Sequence, residues 1–529
     1  MKSTTKKWLA GILAGMMVLS LAACGPKETL VSSGSPVTYP EDGIYPVSCE
    51  DVLTTWGPMQ AVLSTKVSNF ADTEYAKGLV ERTGITVEYI HPAAGNIEEQ
   101  LNLLLASGEL PDVLANDWTK YGAEAAIANE YIINLNDVLD QWAPNLKATL
   151  KERPEYDKLV KTDEGNYYVF PSFRDSAIDC IYQGPIVRKD WLDSLGMEVP
   201  ETIEEWDAAL RAFKNELGVA IPLSAHYKEL AIMFAGAYGV QDTFYLDKGK
   251  IVYGPATEGY KEYLTQMNKW YTEGLLDKNV ATFDWSVLAT NVLNGNVGLT
   301  FGAAASGIGN WTIAKADDPT YELIGAKYPV MKKGDKPEFA AVASPFLANG
   351  SAAITGQCKN VELAARWLDY GYSEEGRMYN NFGTEGVSYN MVDGEPVFSD
   401  MIMNDPAGIS PAMMMYAKGT YSGTFIQDGR VVAQMQSKPA ASRAAVLTWA
   451  ENNMEEHLMP LTTPTIEEQA EVSNLRSELD TYVDEMTLKF IVGQESLDGF
   501  DTFVSKIESF GLERLFELYN AGLKRYNAR

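Results

Sequence analysis

Histidine, cysteine and positive charge are all in short supply in this 529-residue chain. The three histidines, His91, His226 and His457, stand far apart, so a histidine-based zinc site or a Ser-His-Asp triad has little to draw on. No Gly-x-Ser-x-Gly elbow, Walker loop or metal-ligand cluster occurs, and Asp242-Thr-Phe-Tyr-Leu-Asp247 lacks the ligand alternation of an EF-hand. The expected cofactor set is therefore none, with a structural calcium ion left open. Against 72 acidic residues there are 43 Lys and Arg, a formal charge of −29 that disfavours nucleic acid and anionic lipid headgroups as partners. Acidic pairs such as Glu204-Glu205 and Asp317-Asp318 arise easily in such a composition and read as solvated faces, which argues against a two-carboxylate glycosidase. Beyond the N-terminus no second run of about 20 apolar residues appears, so no segment there is fit to span a bilayer.

What is present begins with an address. Lys2, Lys6 and Lys7 precede an apolar stretch from Trp8 to Leu21, which ends in Ala22-Ala23-Cys24, the layout of a secretion signal. The small-small-Cys ending resembles the lipobox of bacterial lipoproteins, which implies cleavage after Ala23 and a diacylglycerol on Cys24. Gly25-Pro26 stops a helix there, and the Gly, Ser and Pro of residues 25–46 predict a flexible tether. The expected location is the extracytoplasmic face of a bacterial cell membrane, held by lipid. Cleavage leaves 506 residues, enough for two or more lobes, and removes three lysines to give −32. Cys49, Cys180 and Cys358 remain, too few for a disulfide framework; one pair or none is expected.

Strands and helices alternate along the mature chain, which predicts an α/β architecture. Asp51–Thr55, Ile85–Ile90 and Val113–Ala115 read as strands, with helices over Phe70–Thr83 and Asn96–Ser107 between them. Parallel strands joined this way place ligands at their carboxyl ends, near Trp56 and Asn116-Asp117-Trp118. Tyr167–Phe170 reads as another strand, Thr202/Glu205 and Thr465/Glu468 as capping boxes, Phe244–Tyr253 as a hairpin, and the last seventy residues as helical.

Several stretches share a further likeness: Leu110-Pro-Asp-Val113 before an Asp-Trp loop, Tyr168-Val-Phe-Pro171, Val187-Arg-Lys-Asp-Trp-Leu-Asp-Ser-Leu-Gly196 with Pro200-Glu-Thr202, Asn296-Val-Gly-Leu-Thr-Phe-Gly302 ahead of Trp311, Phe382-Gly-Thr-Glu-Gly-Val-Ser-Tyr389, and Phe490-Ile-Val-Gly493. In order and spacing they resemble extracellular solute-binding lipoproteins of ABC importers, in the long oligosaccharide-binding group related to maltose-binding protein. That resemblance implies a two-lobed clamshell with hinge strands, closing on a sugar and docking on a permease. By analogy lobe 1 comprises 47–172 and 348–390, and lobe 2 comprises 173–347 and 391–529 with its C-terminal helices. The expected state is a monomer. A peptide- or amino-acid-binding lipoprotein, or one presenting its ligand to a membrane sensor, is the alternative, and a secreted glycoside hydrolase stands behind both.

A sugar site needs aromatic faces for C–H surfaces and polar groups for the hydroxyl rim. Trp56, Trp118 and Trp311 fall outside amphipathic helical patterns; Trp118 follows a first-lobe strand and Trp311 matches the family's second-lobe aromatic, with core packing as the competing reading for both. Asn116 and Asp117 suit sugar hydroxyls or a helix cap equally. Arg174 forks onto hydroxyls or pairs with Asp175 or Asp179, while Glu385 and Tyr389 sit in a Gly-rich turn that in the family borders the cleft.

Overall fold

A computed structural model describes residues 32–93, 95–418 and 423–529. The expected signal peptide, residues 1–23, and the expected lipidation site Cys24 lie outside the described residues. No helix among them is long and apolar enough to cross a membrane.

The first sheet grows from short apolar strands whose β-branched and aromatic residues suit a pleated surface. β1 (Leu53–Trp56) lies between β2 (Val87–Ile90) and β3 (Val113–Ala115), parallel to both, and Ala352–Ile354 adds an antiparallel edge beside β3. Two helices make the crossovers. In α1 (Glu74–Thr83) the Thr73 side chain accepts from Ala76 N–H, and Gly84 ends the helix at φ 72°, with Val47 C=O too close for any side chain. α2 (Ile97–Ser107) buries Leu101 and Leu105. The predicted strand over Tyr167–Phe170 is only a pair of isolated bridges, Lys161 with Tyr167 and Phe170 with Ala352, because the chain there edges the sheet without running along it.

The second sheet is mixed, in the order Leu323–Gly325, Gln183–Arg188, Val297–Ala303, Ile221–Ser224. Its core holds Trp206, Trp270, Trp449 and Phe301, together with Leu479, Val483, Phe490 and Leu515 of the C-terminal helices. The 27-residue helix Ile466–Val492 opens with the expected capping box of Thr465 and Glu468, and Thr202/Glu205 makes another. The molecule is thus two-lobed and mixed α/β, with a helical C-terminal region.

Between the lobes three chain segments run side by side. Phe173-Arg174 pairs in parallel with Ile426-Gln427, and Phe173 also bridges Phe346. A third, smaller core (Phe382, Tyr389, Phe398, Ile402, Met413, Val431) occupies much of 382–435. It leans on lobe 1, where Lys66 meets Asp405 at 2.9 Å and helix Ile409–Tyr416 contacts α1. The stretch 391–435 was expected in lobe 2; its apolar residues make this separate core instead.

The described part of the expected tether is docked, not loose. Ser33 and Gly34 N–H donate to Lys359 C=O, Ser35 bonds Asp51, and the Tyr45 hydroxyl donates to Arg366 C=O. Composition suggested freedom at 32–46, but Tyr39 and Tyr45 find partners on helix Val361–Asp369. Cys49, Cys180 and Cys358 are all free thiols.

Candidate ligand cavity

The carboxyl ends of β1, β2 and β3 open into a cavity of about 570 Å³. Three loops shape it: Gly57–Gln60 after β1, His91 after β2, and Asn116–Tyr121 after β3. α2 contributes Ile97, Glu98, Leu101 and Asn102; Trp367, Met414 and Lys418 close the far side. The position follows from chain direction, since parallel strands all release their loops at one end.

Aromatic rings form the wall. Phe70 packs against Tyr89 at 5.1 Å and Tyr75 at 5.8 Å, and Tyr89 meets Trp367 edge-on at 6.4 Å. Tyr75 and Trp367 are buried, whereas Phe70, Tyr89 and Tyr121 keep accessible faces. Burial pushes the Tyr89 phenol well above the ordinary range, so it stays neutral. Gln60, Asn102, Asn116 and Asn349 bring uncharged amides to the same space. Of the charged lining groups, Asp117 is tied locally: it accepts from Thr119 N–H at 3.1 Å and faces Lys120 at 3.8 Å. Lys418 sits in apolar surroundings that lower its ammonium to about 8.

Of the residues singled out from sequence, the cavity gathers Trp56, Asn116 and Asp117. Asp117 also caps the short helix Trp118–Tyr121, which is the helix-cap reading of that residue. The others lie elsewhere. Trp118 is 1% exposed and belongs to the lobe 1 core, packed edge-on against Tyr121 at 5.8 Å. The two rings, at i and i+3, share one side of the 118–121 turn and touch; Trp118 is the one sealed in the core, and Tyr121, only half-buried, is the one that reaches the cavity wall. Trp311 is buried in the lobe 2 core. Arg174 is buried at the interlobe crossing and donates to Ser344 C=O at 2.6 Å. Glu385 is exposed in its turn, and Tyr389 packs into the third core against Phe382 at 5.7 Å.

Sequence reading missed Phe70, Tyr89, Tyr121 and His91. Tyr89 carried a faint signal in the alternation of β2, where Val87 and Tyr89 share one face of the sheet. On lobe 2, Trp285 stands 46% exposed at the strand end of Val297–Ala303, edge-on to Phe283 at 5.2 Å. Gly302 lies beside both rings: a Cβ there would sit 3.9 Å from Trp285 and 3.8 Å from Trp311, ordinary contact, and 3.0 Å from Ile186 Cδ1. Among the described residues no group of three or more His, Cys, Asp or Glu is placed to hold a metal ion.

Comparison with known proteins adds a lineage. A family model for bacterial extracellular solute-binding proteins matches residues 68–378. The fructooligosaccharide ABC transporter substrate-binding protein FusA of Streptococcus pneumoniae is 23% identical over 98% of each chain. Its structure with kestose covers 90% of this chain and all of that one at a TM-score of 0.72 and 20% identity, a likeness of fold. The lipoprotein LipO of Bacillus subtilis is 23% identical over 97% of each chain. The alginate-binding protein AlgQ2, solved without calcium ion, has a TM-score of 0.73 at 25% identity, covering 90% of this chain and 98% of its own.

Proposed function

The chain belongs to the bacterial extracellular solute-binding protein family, and from that premise we propose that it captures an oligosaccharide between its lobes and delivers it to an ABC transporter permease. The observation that carries the reading is the lobe 1 cavity itself. Phe70, Tyr89 and Tyr121 offer flat faces to the C–H side of a sugar ring, and Gln60, Asn102, Asn116 and Asn349 offer neutral hydrogen-bonding groups to its hydroxyls. A site of 570 Å³ suits a ligand of several rings only if a second surface covers it. Trp285 at the matching strand end of lobe 2 is the side chain we assign to that cover.

The three crossing segments at Phe173, Phe346 and Ile426 supply the hinge. The protein acts without catalysis as a monomer, and no cofactor is assigned. Cys24 carries the lipid that holds it at the extracytoplasmic membrane face, in keeping with the likeness to LipO.

The test is a thermal-shift screen of residues 32–529 against fructo-, uronic-acid and N-glycan-type oligosaccharides, with amino acids and short peptides alongside. At a hundred times its dissociation constant a ligand adds about 2.7 kcal/mol of apparent stability. A shift with one glycan class and an intact glycan afterwards supports the reading. A shift with peptides alone, or breakdown of the glycan, overturns it.

A further inference from the structure

One loop lines a side of the cavity, and a single imidazole bonds to both its ends. The segment from Gly57 to Phe70 leaves β1 and returns at the 3₁₀ turn Phe70–Asp72, lining the cavity with Met59, Gln60 and Leu63 on the way. His91, the first residue after β2, reaches both feet of this loop. Its Nδ1 lies 3.0 Å from Gly57 C=O, and Phe70 N–H approaches its Nε2 at 3.2 Å. A carbonyl oxygen only accepts and a backbone N–H only donates, so the two contacts together fix the ring: Nδ1 carries the proton and Nε2 offers its lone pair. That is neutral imidazole in one tautomer.

We infer that His91 is a positioning residue that clamps the 57–70 loop onto the cavity as neutral imidazole and releases the Phe70 foot when it gains a second proton. Protonated imidazole presents N–H at both nitrogens, which sets Nε2–H against Phe70 N–H and leaves two donors facing each other without an acceptor. The Gly57 contact survives protonation; the Phe70 contact does not. The other anchors of the loop are Gly57 N–H, which donates to Ile90 C=O at 3.1 Å, the Phe70 ring packed on Tyr75 and Tyr89, buried Leu63, the Lys66–Asp405 ion pair, and Asn69, whose Nδ2 donates to Tyr89 C=O at 3.0 Å. The titratable groups that share the cavity with the ring are Tyr89, stacked at 6.5 Å, Tyr75, Glu98 on α2, Asp117, Lys120 and Tyr121 after β3, and Lys418, with Asp72 exposed on the 3₁₀ turn that begins at Phe70. The 57–60 foot carries none, and among the described residues no ion pair involves the imidazole. The consequence is that the shape of this cavity wall depends on which nitrogens of one ring carry a proton, and with it the proposed oligosaccharide site.

The inference rests on the ligand-capture reading for its purpose but not for its test, which uses ligand-free protein. With only three histidines in the sequence, the ring nitrogens are resolvable by ¹⁵N-detected imidazole spectroscopy, and His91→Gln assigns the signal. At pH 7.5 the His91 signal reports the Nδ1–H tautomer. After correction for intrinsic exchange, hydrogen-exchange protection of the Phe70 amide falls at least tenfold between pH 7.5 and 5.0 in the wild type. It is independent of pH in His91→Gln, whose amide oxygen still accepts from Phe70 without titrating. The Nε2–H tautomer at pH 7.5, unchanged wild-type protection, or an equal loss in His91→Gln overturns the inference. Should His91→Gln fail to fold, the wild-type tautomer and exchange profile decide alone. Where kestose binds, its dissociation constant rises at least tenfold over the same interval in the wild type and not in His91→Gln; a protein that ignores kestose at pH 7.5 removes that ligand, and the exchange data still decide the clamp.

Discussion

Tyr121 and Trp118 sit one helical turn apart and serve opposite ends. Tyr121 keeps a face toward the cavity, so Tyr121→Ala is expected to weaken glycan binding ten- to a hundredfold, about 1–3 kcal/mol, while the melting temperature moves little. Trp118→Ala removes a ring that is 1% exposed and is expected to lower stability by about 3–5 kcal/mol through the cavity it leaves. Calorimetry of each variant with and without glycan separates the two outcomes. Trp311→Ala, in the other lobe's core, is expected to follow Trp118. Thiol chemistry sorts the same way: burial pushes the Cys180 thiol up to about 11 and raises Cys358 further. Ellman titration of the native protein is expected to label Cys49 ahead of both.

The interlobe segments carry an unusual charge. Asp179, in the 3₁₀ turn Ala177–Cys180 of the first crossing, is 4% exposed, and neither carboxylate oxygen has a hydrogen-bond partner among the described residues. The third crossing passes directly over it at Gly429, where any side chain would come within 2.7 Å of Oδ2. Burial raises this carboxyl to about 6, only partly offset by the Arg443 and Arg174 guanidiniums and reinforced by Asp175 and Asp428. The folded state therefore holds the proton more tightly than the unfolded chain. The stability this lends is complete below the ordinary carboxylate value near 4 and is lost as pH rises through about 6. Asp179→Asn is expected to raise the melting temperature at pH 7.5 by roughly 2 °C and to flatten its pH dependence between about 4 and 6. A variant that melts lower at pH 7.5 would refute the assignment of Asp179 as an uncompensated charge.

At the scale of the molecule, the lobes are joined a second time, away from the crossing strands. Asp163 of lobe 1, its side chain 2% exposed, is held by Arg525 at 2.7 Å and by Arg529, and Glu468 meets Arg525 at 2.6 Å. These partners extend from helices packed on the lobe 2 core, so the C-terminal helices act as a strap between the lobes. Removing one member of a buried ion pair strands the other, and Asp163→Ala is expected to cost about 3–5 kcal/mol. Solution scattering tests the clamshell itself. Glycan binding is expected to reduce the radius of gyration of the wild type, and a glycan that binds without contraction would mean that lobe 1 holds it alone.

The β-α-β-α-β start was legible because Leu53–Ala115 alternates apolar strand runs with 3.6-periodic helices, and both long capping boxes were visible as Thr-x-x-Glu. The same reading pointed to the end of the sheet where the cavity opens, at Trp56 and Asn116-Asp117, since chain direction alone fixes where parallel strands end. It did not rank the aromatics. Which of the neighbouring rings Trp118 and Tyr121 is sealed in the core and which stays open to the cavity depends on what packs around that short helix, and whether Phe70 joins Tyr89 depends on a contact between residues 19 apart in sequence, contacts that no local pattern encodes. Likewise Gly, Ser and Pro at 32–46 signalled a tether, yet pairing with Lys359 and Arg366 lies more than 300 residues away along the chain. Sequence determined the elements, their order and the charge of the surface, because these follow from local propensity and composition. The tertiary structure decided which rings face the cavity, that 382–435 gathers a small core of its own, and that one histidine bonds to both feet of a loop, because each depends on long-range packing that brings distant residues together.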